Sequence, residues 1–252
     1  MDHPGFFQRQ VQLHTSQCDL LGAARLSTLL ELMQDTANDH CSLLHRSRFD
    51  LKAQGLAWVL FKLEAEIDRY PGIREQVTVQ TFTKGNRFKF YPRCYRIVDG
   101  SGTCICRGAS LWMLMDLKTR KTVSPKDSGI TLPDVTTLEP PIPISSTVPE
   151  LEGEGETRFC RPAYSDLDLN GHVNNVRYAD WLCDRLGIAR MKEMQVAHLS
   201  VSYNYEVSAD MTLCTTLILR EPDFRFCGES EGKTRFQMYG RLSPRQPGGQ
   251  WE

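Results

Sequence analysis

The segment RFCRPAYSDLDLNGH, at residues 158–172, has the same layout as RQVQLHTSQCDLLGA, at residues 9–23. When Ser165 is set against Ser16, the Asp-Leu-x-Gly steps of the two segments coincide, and each matched pair lies 149 residues apart. Few letters are identical, so the shared order of elements around each segment carries more weight than the letters. A supersecondary unit that recurs once along the chain predicts two domains of the same fold.

A helix is predicted after each segment. In the first copy, apolar residues recur three or four positions apart over residues 24–44, and their stripe is broad enough for a heavily buried helix. In the second copy, apolar positions from 176 to 186 form one face, and Gly187 marks the predicted end of the helix.

Strand patterns follow each predicted helix. They are β-branched or aromatic, partly alternating, and separated by turn signals such as Lys84-Gly85-Asn86. The predicted strands lie at residues 56–68, 76–85, 87–99 and 103–117 in the first half, and at 196–207, 211–223 and 233–243 in the second. A buried helix followed by antiparallel strands predicts an α+β fold, with a sheet wrapped around a long helix in each half.

A proline-rich segment separates the two copies. Residues 118–157 contain six prolines and end in the acidic PELEGEGE, which predicts a largely extended linker. We therefore predict an N-terminal domain at residues 1–120, a linker at 121–157 and a C-terminal domain at 158–252.

The composition predicts a soluble globular protein. The 252 residues carry a net charge of −1, which gives no global argument for nucleic-acid binding. The chain shows neither a run of about eighteen apolar residues nor a secretory signal. Nine cysteines, mostly in apolar runs, indicate buried thiols in a reduced, cytoplasmic compartment. The close pair Cys104 and Cys106 lacks zinc-site spacing, so neither a metal nor a cofactor is expected.

The stretch SDLDLNGHVNNVRYADW, at residues 165–181, gathers polar side chains before an apolar, aromatic run. Asp168, Asn170 and His172 are spaced two apart, and in an extended segment their side chains would point the same way. We expect the helix to begin near residues 173–175, where unpaired amides would polarise a carbonyl oxygen as an oxyanion site requires.

Helix capping is the alternative interpretation of this cluster. It accounts for one or two of the residues, but not for an imidazole beside two carboxylates and three asparagines. The first copy has Leu21 in place of Asn170 and Ala23 in place of His172. We therefore expect reactive groups in the second half and apolar surface in the first.

The same stretch resembles the signature of the acyl–acyl carrier protein thioesterases of plants and bacteria, Asp-x-Asn-x-His-Val-Asn-Asn-x-x-Tyr. In that family the motif lies at the start of the second helix of a tandem hot-dog fold, and the linker and overall length also match. The resemblance implies an enzyme that hydrolyses fatty acyl–acyl carrier protein thioesters, releases free fatty acid and terminates fatty acid synthesis. The N-terminal hot-dog would hold the acyl chain and be catalytically degenerate.

The family also has a functional glutamate 34 residues beyond the motif histidine, which is Glu206 here. The resemblance therefore implies an active site of Asp168, Asn170, His172 and Glu206. Many plant members have a cysteine directly after the glutamate, but Val207 stands at that position and excludes a Cys-His mechanism there. By itself, a glutamate on the polar face of the predicted strand 196–207 is ordinarily just solvated.

We hypothesise that Glu206 accepts a proton from water as general base, or attacks the thioester directly. Backbone amides near His172 and Val173, with side-chain donors of Asn170 or His172, would stabilise the oxyanion. Asp168 would orient His172 or Asn170.

Eight apolar residues are candidates for binding the acyl chain, although most residues of this kind form ordinary core. They are Leu29, Leu30, Met33, Trp58, Leu60, Trp112, Leu114 and Val173. The expected partner is the acyl carrier protein with its acyl-phosphopantetheine thioester. No nucleic-acid or membrane partner is expected, and a homodimer is compatible with the sequence.

An acidic carrier needs a basic docking face, and KGNRFKFYPRCYR at residues 84–96 is the candidate. Its basic residues are Lys84, Arg87, Lys89, Arg93 and Arg96. An ordinary solvated strand pair is the favoured interpretation of this segment, and the docking face is the alternative.

Three rival functions remain open. Single hot-dog acyl-CoA thioesterases carry a motif similar to GHVNNVRY, but their chains are about half as long. Hot-dog hydratases resemble Asp-x-Asn-Pro-x-His, whereas Asn170 is followed here by Gly171 and His172. A non-catalytic acyl-binding module is the third, and the intact second cluster argues against it.

Overall fold

The computed structural model describes residues 3–145 and 147–246. The N-terminal half contains β1 (Phe6–Gln12), α1 (Leu26–Leu43), α2 (Arg48–Ala53), β2 (Leu56–Ile67), β3 (Gln76–Thr83), β4 (Tyr91–Val98), β5 (Cys104–Asp116), β6 (Thr122–Val123) and α3 (Pro125–Ser128). The C-terminal half contains β7 (Glu156–Cys160), α4 (Arg177–Leu186), α5 (Ile188–Glu193), β8 (Met194–Tyr203), β9 (Leu213–Arg220), β10 (Asp223–Ser230) and β11 (Lys233–Pro244).

The described strands form one sheet, which β2 and β8 join across the middle. The strand order is β1-β3-β4-β5-β2-β8-β11-β10-β9-β7, with β6 paired to β5. From either edge inward, the order is the same once β1 is matched with β7 and β2 with β8. The two equivalent central strands run antiparallel, with Lys62 opposite Ser202 and Glu66 opposite His198. We call this β2–β8 pairing the seam, and it relates the two halves by a pseudo-two-fold axis.

Both long helices pack on one face of the sheet. Leu63 and Ala65 of β2 and Leu199 and Val201 of β8 point into the same buried cluster as the apolar faces of α1 and α4. The helices also touch each other, since the hydroxyl of Ser27 donates a hydrogen bond to Asp180. The predicted α+β tandem hot-dog is therefore confirmed.

The predicted helix boundaries agree well with the structure at three of four ends. α1 spans Leu26–Leu43 within the predicted 24–44, and Gly187 ends α4 with a φ of 85°. α4 itself begins at Arg177 rather than near residues 173–175, so the predicted start is wrong.

The segment between α3 and β7 crosses the opposite face of the sheet. Lys62 is fully buried there, and its Nζ donates to the Thr147 carbonyl and to the Ser200 hydroxyl, each at 2.8 Å. The Ser200 hydroxyl in turn donates to Glu64 at 2.9 Å. Lys84 donates to the carbonyls of residues 135 and 138, so the amino groups of two lysines hold the segment against the sheet. The division at residues 120 and 157 stays a prediction.

Four strands are absent from the sequence-based prediction, and the shortest of them, β6, has only two residues. β1 and β7 are edge strands with mostly exposed or half-exposed side chains, so neither carries a strong apolar pattern. β10 alternates Phe224 and Phe226, but the nearby Pro222 and Gly228 are turn signals. Strand β8 also ends at Tyr203, short of the predicted end at residue 207, which changes the setting of the glutamate that follows.

All nine cysteines are unpaired thiols, five of them buried and four half-buried. Burial raises the pKa of Cys94 to about 11 and that of Cys183 to about 12, so these thiols are inert. Among the described helices, none combines the length and the apolar composition that a bilayer span requires. The predicted cytoplasmic location stays a prediction.

A buried histidine and arginine lie between α1 and the sheet. His40 is 2% exposed, and its Nε2 lies 2.9 Å from the Pro4 carbonyl, which can only accept. Its Nδ1 therefore accepts from the Arg93 guanidinium, also at 2.9 Å. The ring must be neutral to do both, and burial together with the charge of Arg93 lowers the pKa of His40 to about 4.

We predict that the protein loses stability as the pH falls from about 6.5 to about 4. Over this range the unfolded chain binds a proton at His40 and the folded chain does not, so acid favours unfolding. The difference in pKa corresponds to about 3 kcal/mol of unfolding free energy, lost once the pH reaches about 4. Urea unfolding across this range measures the loss.

The control for this prediction is His40→Asn, whose side-chain oxygen still accepts from Arg93 but does not titrate. Its unfolding free energy should depend less steeply on pH between about 6.5 and 4 than that of the wild type. Equal slopes for the two proteins would contradict the account.

Candidate active site

The polar motif of the second half is a tight turn. The carboxylate Oδ1 of Asp168 accepts hydrogen bonds from the amides of Asn170 at 2.7 Å and His172 at 3.3 Å. The Gly171 amide closes the turn on the Asp168 carbonyl at 3.0 Å, and Gly171 has a φ of 77°. The expectation of an extended segment with three side chains on one side is wrong, because the turn reverses the chain between Asp168 and His172.

The same turn exists in the first half. Oδ1 of Asp19 accepts from the amides of Leu21 at 2.9 Å and Ala23 at 3.2 Å, and Gly22 also has a φ of 77°. The repeat predicted from the sequence is therefore present down to individual hydrogen bonds. Because Asp19 makes these bonds without a neighbouring imidazole, turn formation is a role that both aspartates share.

The chain between the turn and α4 leaves few amides free. The His172 amide is bound to Asp168, and the Val173 amide donates to the Val207 carbonyl at 2.8 Å. The expected oxyanion donors at His172 and Val173 are therefore wrong, since both amides are already bonded. Within the described residues, the backbone amide of Asn175 makes no hydrogen bond.

The imidazole of His172 faces the carboxylate of Glu206. His172 Nδ1 lies 3.6 Å from Glu206 Oε2, and the two side chains are 30% and 41% exposed. Glu206 lies in the loop after β8, not on a strand face as predicted, and the pairing of His172 with Ser208 holds this loop beside the turn. The structure thus brings His172, Asn170 and Asp168 together with Glu206, although Asp168 contacts the amide of His172 and not its ring.

Two arginines from the first half complete this site. Arg120, in the turn between β5 and β6, bonds to Glu206 Oε1. Arg48, at the start of α2, donates to Asn170 Oδ1 at 3.0 Å, while Asn170 Nδ2 donates to Asp168 at 3.1 Å. We call Arg48, Arg120, Asn170, His172 and Glu206 the seam site.

Arg120 also has a backbone conformation that is unusual for its residue type. Its φ is 59°, in the left-handed region that residues other than glycine rarely adopt. The sequence-based reasoning missed both arginines, because each lies far along the chain from the motif it contacts and belongs to no motif of its own.

An apolar crevice opens between α1 and the sheet next to the seam site. It is lined by Leu30, Met33, Gln34, Leu60, Leu63, Tyr95, Trp112, Asn175, Val176 and Tyr203. A second crevice lies further along α1, lined by Ala37, Asn38, Cys41, Trp58, Tyr91, Arg93, Trp112 and Leu132. Trp112 borders both, and we call the two crevices together the track along α1.

Five of the eight predicted acyl-binding residues line this track: Leu30, Met33, Trp58, Leu60 and Trp112. The other three do not line it. Leu29, Leu114 and Val173 are at most 4% exposed and belong to the packed core.

The basic residues of segment 84–96 do not share one solvated face, and the docking face stays a prediction. Arg87 and Lys89 are exposed, but Lys84 is bound to carbonyls of the crossing segment. Arg93 is only 3% exposed, because it lies on the same side of β4 as Tyr91 and points towards α1. The favoured interpretation therefore holds for part of this segment only.

The fold and this site define a tandem hot-dog protein with an imidazole–carboxylate pair at its seam. The model of the acyl-ACP thioesterase N-terminal domain matches residues 4–130, and that of the C-terminal domain matches residues 150–238. The chain therefore belongs to the acyl-ACP thioesterase family.

Curated relatives have low identity. The chain is 25% identical over 219 residues to acyl-[acyl-carrier-protein] hydrolase FATB3, chloroplastic, of Cuphea viscosissima, covering 82% of this chain and 53% of the relative. It is 26% identical over 203 residues to a chloroplastic palmitoyl-acyl carrier protein thioesterase of Gossypium hirsutum, covering 75% and 49%. The chain spans about half the length of the curated relatives it matches.

Solved structures share the whole fold. An acyl-ACP thioesterase from Bacteroides thetaiotaomicron superposes with a TM-score of 0.81 at 21% identity, over 95% of this chain and 98% of that one. The 12:0-ACP thioesterase of Umbellularia californica gives a TM-score of 0.81 at 17% identity, over 96% and 99%. At these identities the likeness establishes the fold.

We predict that Gly171→Ala and Gly22→Ala destabilise the protein by similar amounts, about 1–2 kcal/mol each, because a side chain is disfavoured at positive φ. Gly171→Asn should cost less, since asparagine tolerates this conformation. Chemical denaturation of the three variants tests the equivalence of the two turns. A much smaller loss at one glycine than at the other would contradict it.

Proposed function

We propose that the protein hydrolyses fatty acyl thioesters of acyl carrier protein, which releases a free fatty acid and ends chain growth. The observation that carries this proposal is the His172–Glu206 pair. His172 precedes Asn175 by three residues in the sequence, and Asn175 lines the apolar crevice. A thioester whose tail lies in that crevice would present its carbonyl carbon to water at the pair.

The orientation of the imidazole favours His172 as the group that takes the proton from water. In the neutral ring, a proton on Nδ1 faces the carboxylate of Glu206, and Nε2 is left as an acceptor. Glu206 would then fix the tautomer and stabilise the imidazolium as it forms. The separation of 3.6 Å is longer than a hydrogen bond, and such contacts commonly tighten when substrate binds. The pair would thus share the activation of water, which the sequence-based hypothesis assigned to Glu206 alone.

The Asn175 amide is the best candidate for stabilising the oxyanion. It has no acceptor among the described residues, and Asn175 lines the crevice just before α4 begins. A backbone N–H at a helix entrance is preorganised for developing negative charge. It therefore takes the place of the bonded amides of His172 and Val173. Asp168 would act indirectly, by holding the turn.

The acyl tail would follow the track along α1 towards Trp112. The two crevices have volumes of only about 10 and 20 Å³, which is room for no more than a water or so in each. Binding a chain therefore requires side chains such as Met33 and Trp112 to move. Methionine is suited to this, because its unbranched side chain adapts readily.

The carrier can be identified by comparing hydrolysis rates. Acyl carrier protein and coenzyme A present the same acyl-phosphopantetheine arm, so the second candidate function is an acyl-CoA thioesterase. Release of free thiol from one acyl group on each carrier separates the two. Faster hydrolysis of the carrier-protein thioester supports the proposal, and preference for the coenzyme A ester overturns the choice of carrier.

We predict that His172→Ala and Glu206→Ala each lower kcat by about 10²–10⁴-fold on an acyl–acyl carrier protein thioester. Because the two groups act as a unit, the double variant should be about as slow as the slower single variant. Thiol release under saturating substrate measures all three.

The control is Glu154→Gln, which removes an exposed carboxylate outside the seam site and should leave the rate unchanged. Near-normal rates in both single variants, or losses that multiply in the double variant, would contradict the coupled pair.

We predict opposite effects on stability and activity at Arg120. Arg120→Asn suits the positive φ better, so the unfolding free energy should stay equal or rise. The carboxylate of Glu206 would lose its partner, and kcat should fall about 10-fold, a modest loss because both side chains are partly exposed.

Lys118→Leu is the matched control, since it removes a positive charge from the same turn without contacting Glu206. Its kcat should equal that of the wild type. If kcat fell as much as in Arg120→Asn, the loss would come from the positive charge of the turn as a whole and not from the Arg120–Glu206 bond.

A further inference from the structure

A buried guanidinium stands at the far end of the acyl track. Arg93 of β4 is 3% exposed and lines the second crevice. An arginine keeps its charge under all conditions in which a protein folds, so this is a permanent positive charge beside apolar walls. The proposed hydrolysis gives Arg93 no role.

The neighbours of Arg93 accept hydrogen bonds from only some of its N–H groups. Nη1 donates to His40 Nδ1 at 2.9 Å and to Thr81 Oγ1 at 3.2 Å, and Nη2 donates to the Cys41 sulfur at 3.3 Å. A guanidinium has five N–H donors, so two have no acceptor in the part of the chain that the structure describes. In the same ranges, none of the ion pairs involves Arg93.

The other walls of the crevice offer nothing to a polar group. The indole N–H of Trp58 donates to the Arg46 carbonyl, that of Trp112 donates to Ser110, and the hydroxyl of Tyr91 donates to the Ile130 carbonyl. These aromatic residues therefore present their carbon faces to the space. Asn38, which is exposed, lies at the rim. Among the buried walls, Arg93 is the residue with unused nitrogen donors.

The crevice is also within reach of a tail that starts at the seam site. One stripe of α1, from Leu30 to Cys41, borders both crevices, and Trp112 stands between them. The eleven helical steps from Leu30 to Cys41 cover about 16 Å, which is the length of the track along α1. A hydrocarbon end that reached Arg93 would desolvate the charge further without giving it an acceptor, and that is unfavourable.

We propose that this end of the track selects acyl groups that carry a hydrogen-bond-accepting oxygen, a carboxylate or a carbonyl, at the end far from the thioester. The inference rests on the proposed thioesterase function. The distal oxygen accepts from the two unused N–H groups of Arg93, while the methylene chain covers Trp112 and Trp58. An anionic end compensates the buried charge and binds more tightly than a neutral carbonyl end.

The test compares acyl–acyl carrier protein thioesters of equal length that end in a methyl, a keto or a carboxylate group, over a series of chain lengths. At the length that reaches Arg93, kcat/KM should be about 10- to 100-fold higher for the carboxylate end than for the methyl end. Shorter pairs should show no such preference. Equal or lower kcat/KM for the carboxylate end at every length would overturn the inference while leaving the hydrolase function intact.

Two variants connect the preference to the guanidinium. Arg93→Leu should lose the preference for the carboxylate end and hydrolyse the methyl-ended ester at least as well as the wild type. Arg93→Lys should keep part of the preference, because the charge remains. A preference that persists unchanged in a folded Arg93→Leu protein would overturn the inference.

Binding without turnover separates this inference from the proposed function. Amide analogues of the same acyl-pantetheines cannot be hydrolysed, and calorimetry measures their affinity. Tighter binding of the carboxylate-ended analogue supports the Arg93 site even if no thioester is hydrolysed. Equal affinity of both ends, beside normal hydrolysis, overturns the Arg93 site alone.

Discussion

The pairing of β2 with β8 is the constraint on which the rest of the structure depends. This seam fixes the two halves in one sheet, and its outer face is closed by the fully buried Lys62 with Ser200 and Glu64. Removing one member of such a network would leave a buried charge without its partners, which is costly. Because the seam sets the register, it also decides which loops meet. It brings Arg120 of the first half to Glu206 of the second, and α1 alongside α4.

The duplication explains how one fold acquired a site that neither half contains alone. Both copies keep the aspartate-closed turn with its glycine at positive φ, so the turn belongs to the scaffold. Only the second copy places an imidazole at the end of the turn, and only the first half supplies the arginines and most of the apolar track. In the first copy, the other oxygen of Asp19 is bound to Arg245, which ties the turn to the C-terminal strand. The two copies thus share the same local geometry, and only the second copy joins it to the imidazole–carboxylate pair of the proposed active site.

The local features of this fold were predictable from the sequence, and the tertiary ones were not. The α1 boundaries, the stop at Gly187 and the repeated turn follow from periodicity and turn chemistry, which act over a few residues. Arg120 could not be found in this way, because its partner lies 86 positions away and the turn that holds it carries no motif. The burial of Arg93, by contrast, could have been predicted from the sequence. Tyr91 and Tyr95 lie on the same face of β4 as Arg93, and large aromatic residues on one face of a strand indicate that this face packs against other elements.

The central claim is that a thioester lies at the seam, with its carbonyl at the imidazole–carboxylate pair and its tail along α1. A crystal structure with an acyl carrier protein bearing an amide-linked acyl chain would test it most directly. The account predicts that the amide carbonyl oxygen accepts from the Asn175 N–H, that His172 faces the carbonyl carbon, and that the chain passes Trp112. A chain bound on another face of the sheet, or a carbonyl remote from His172 and Glu206, would contradict it.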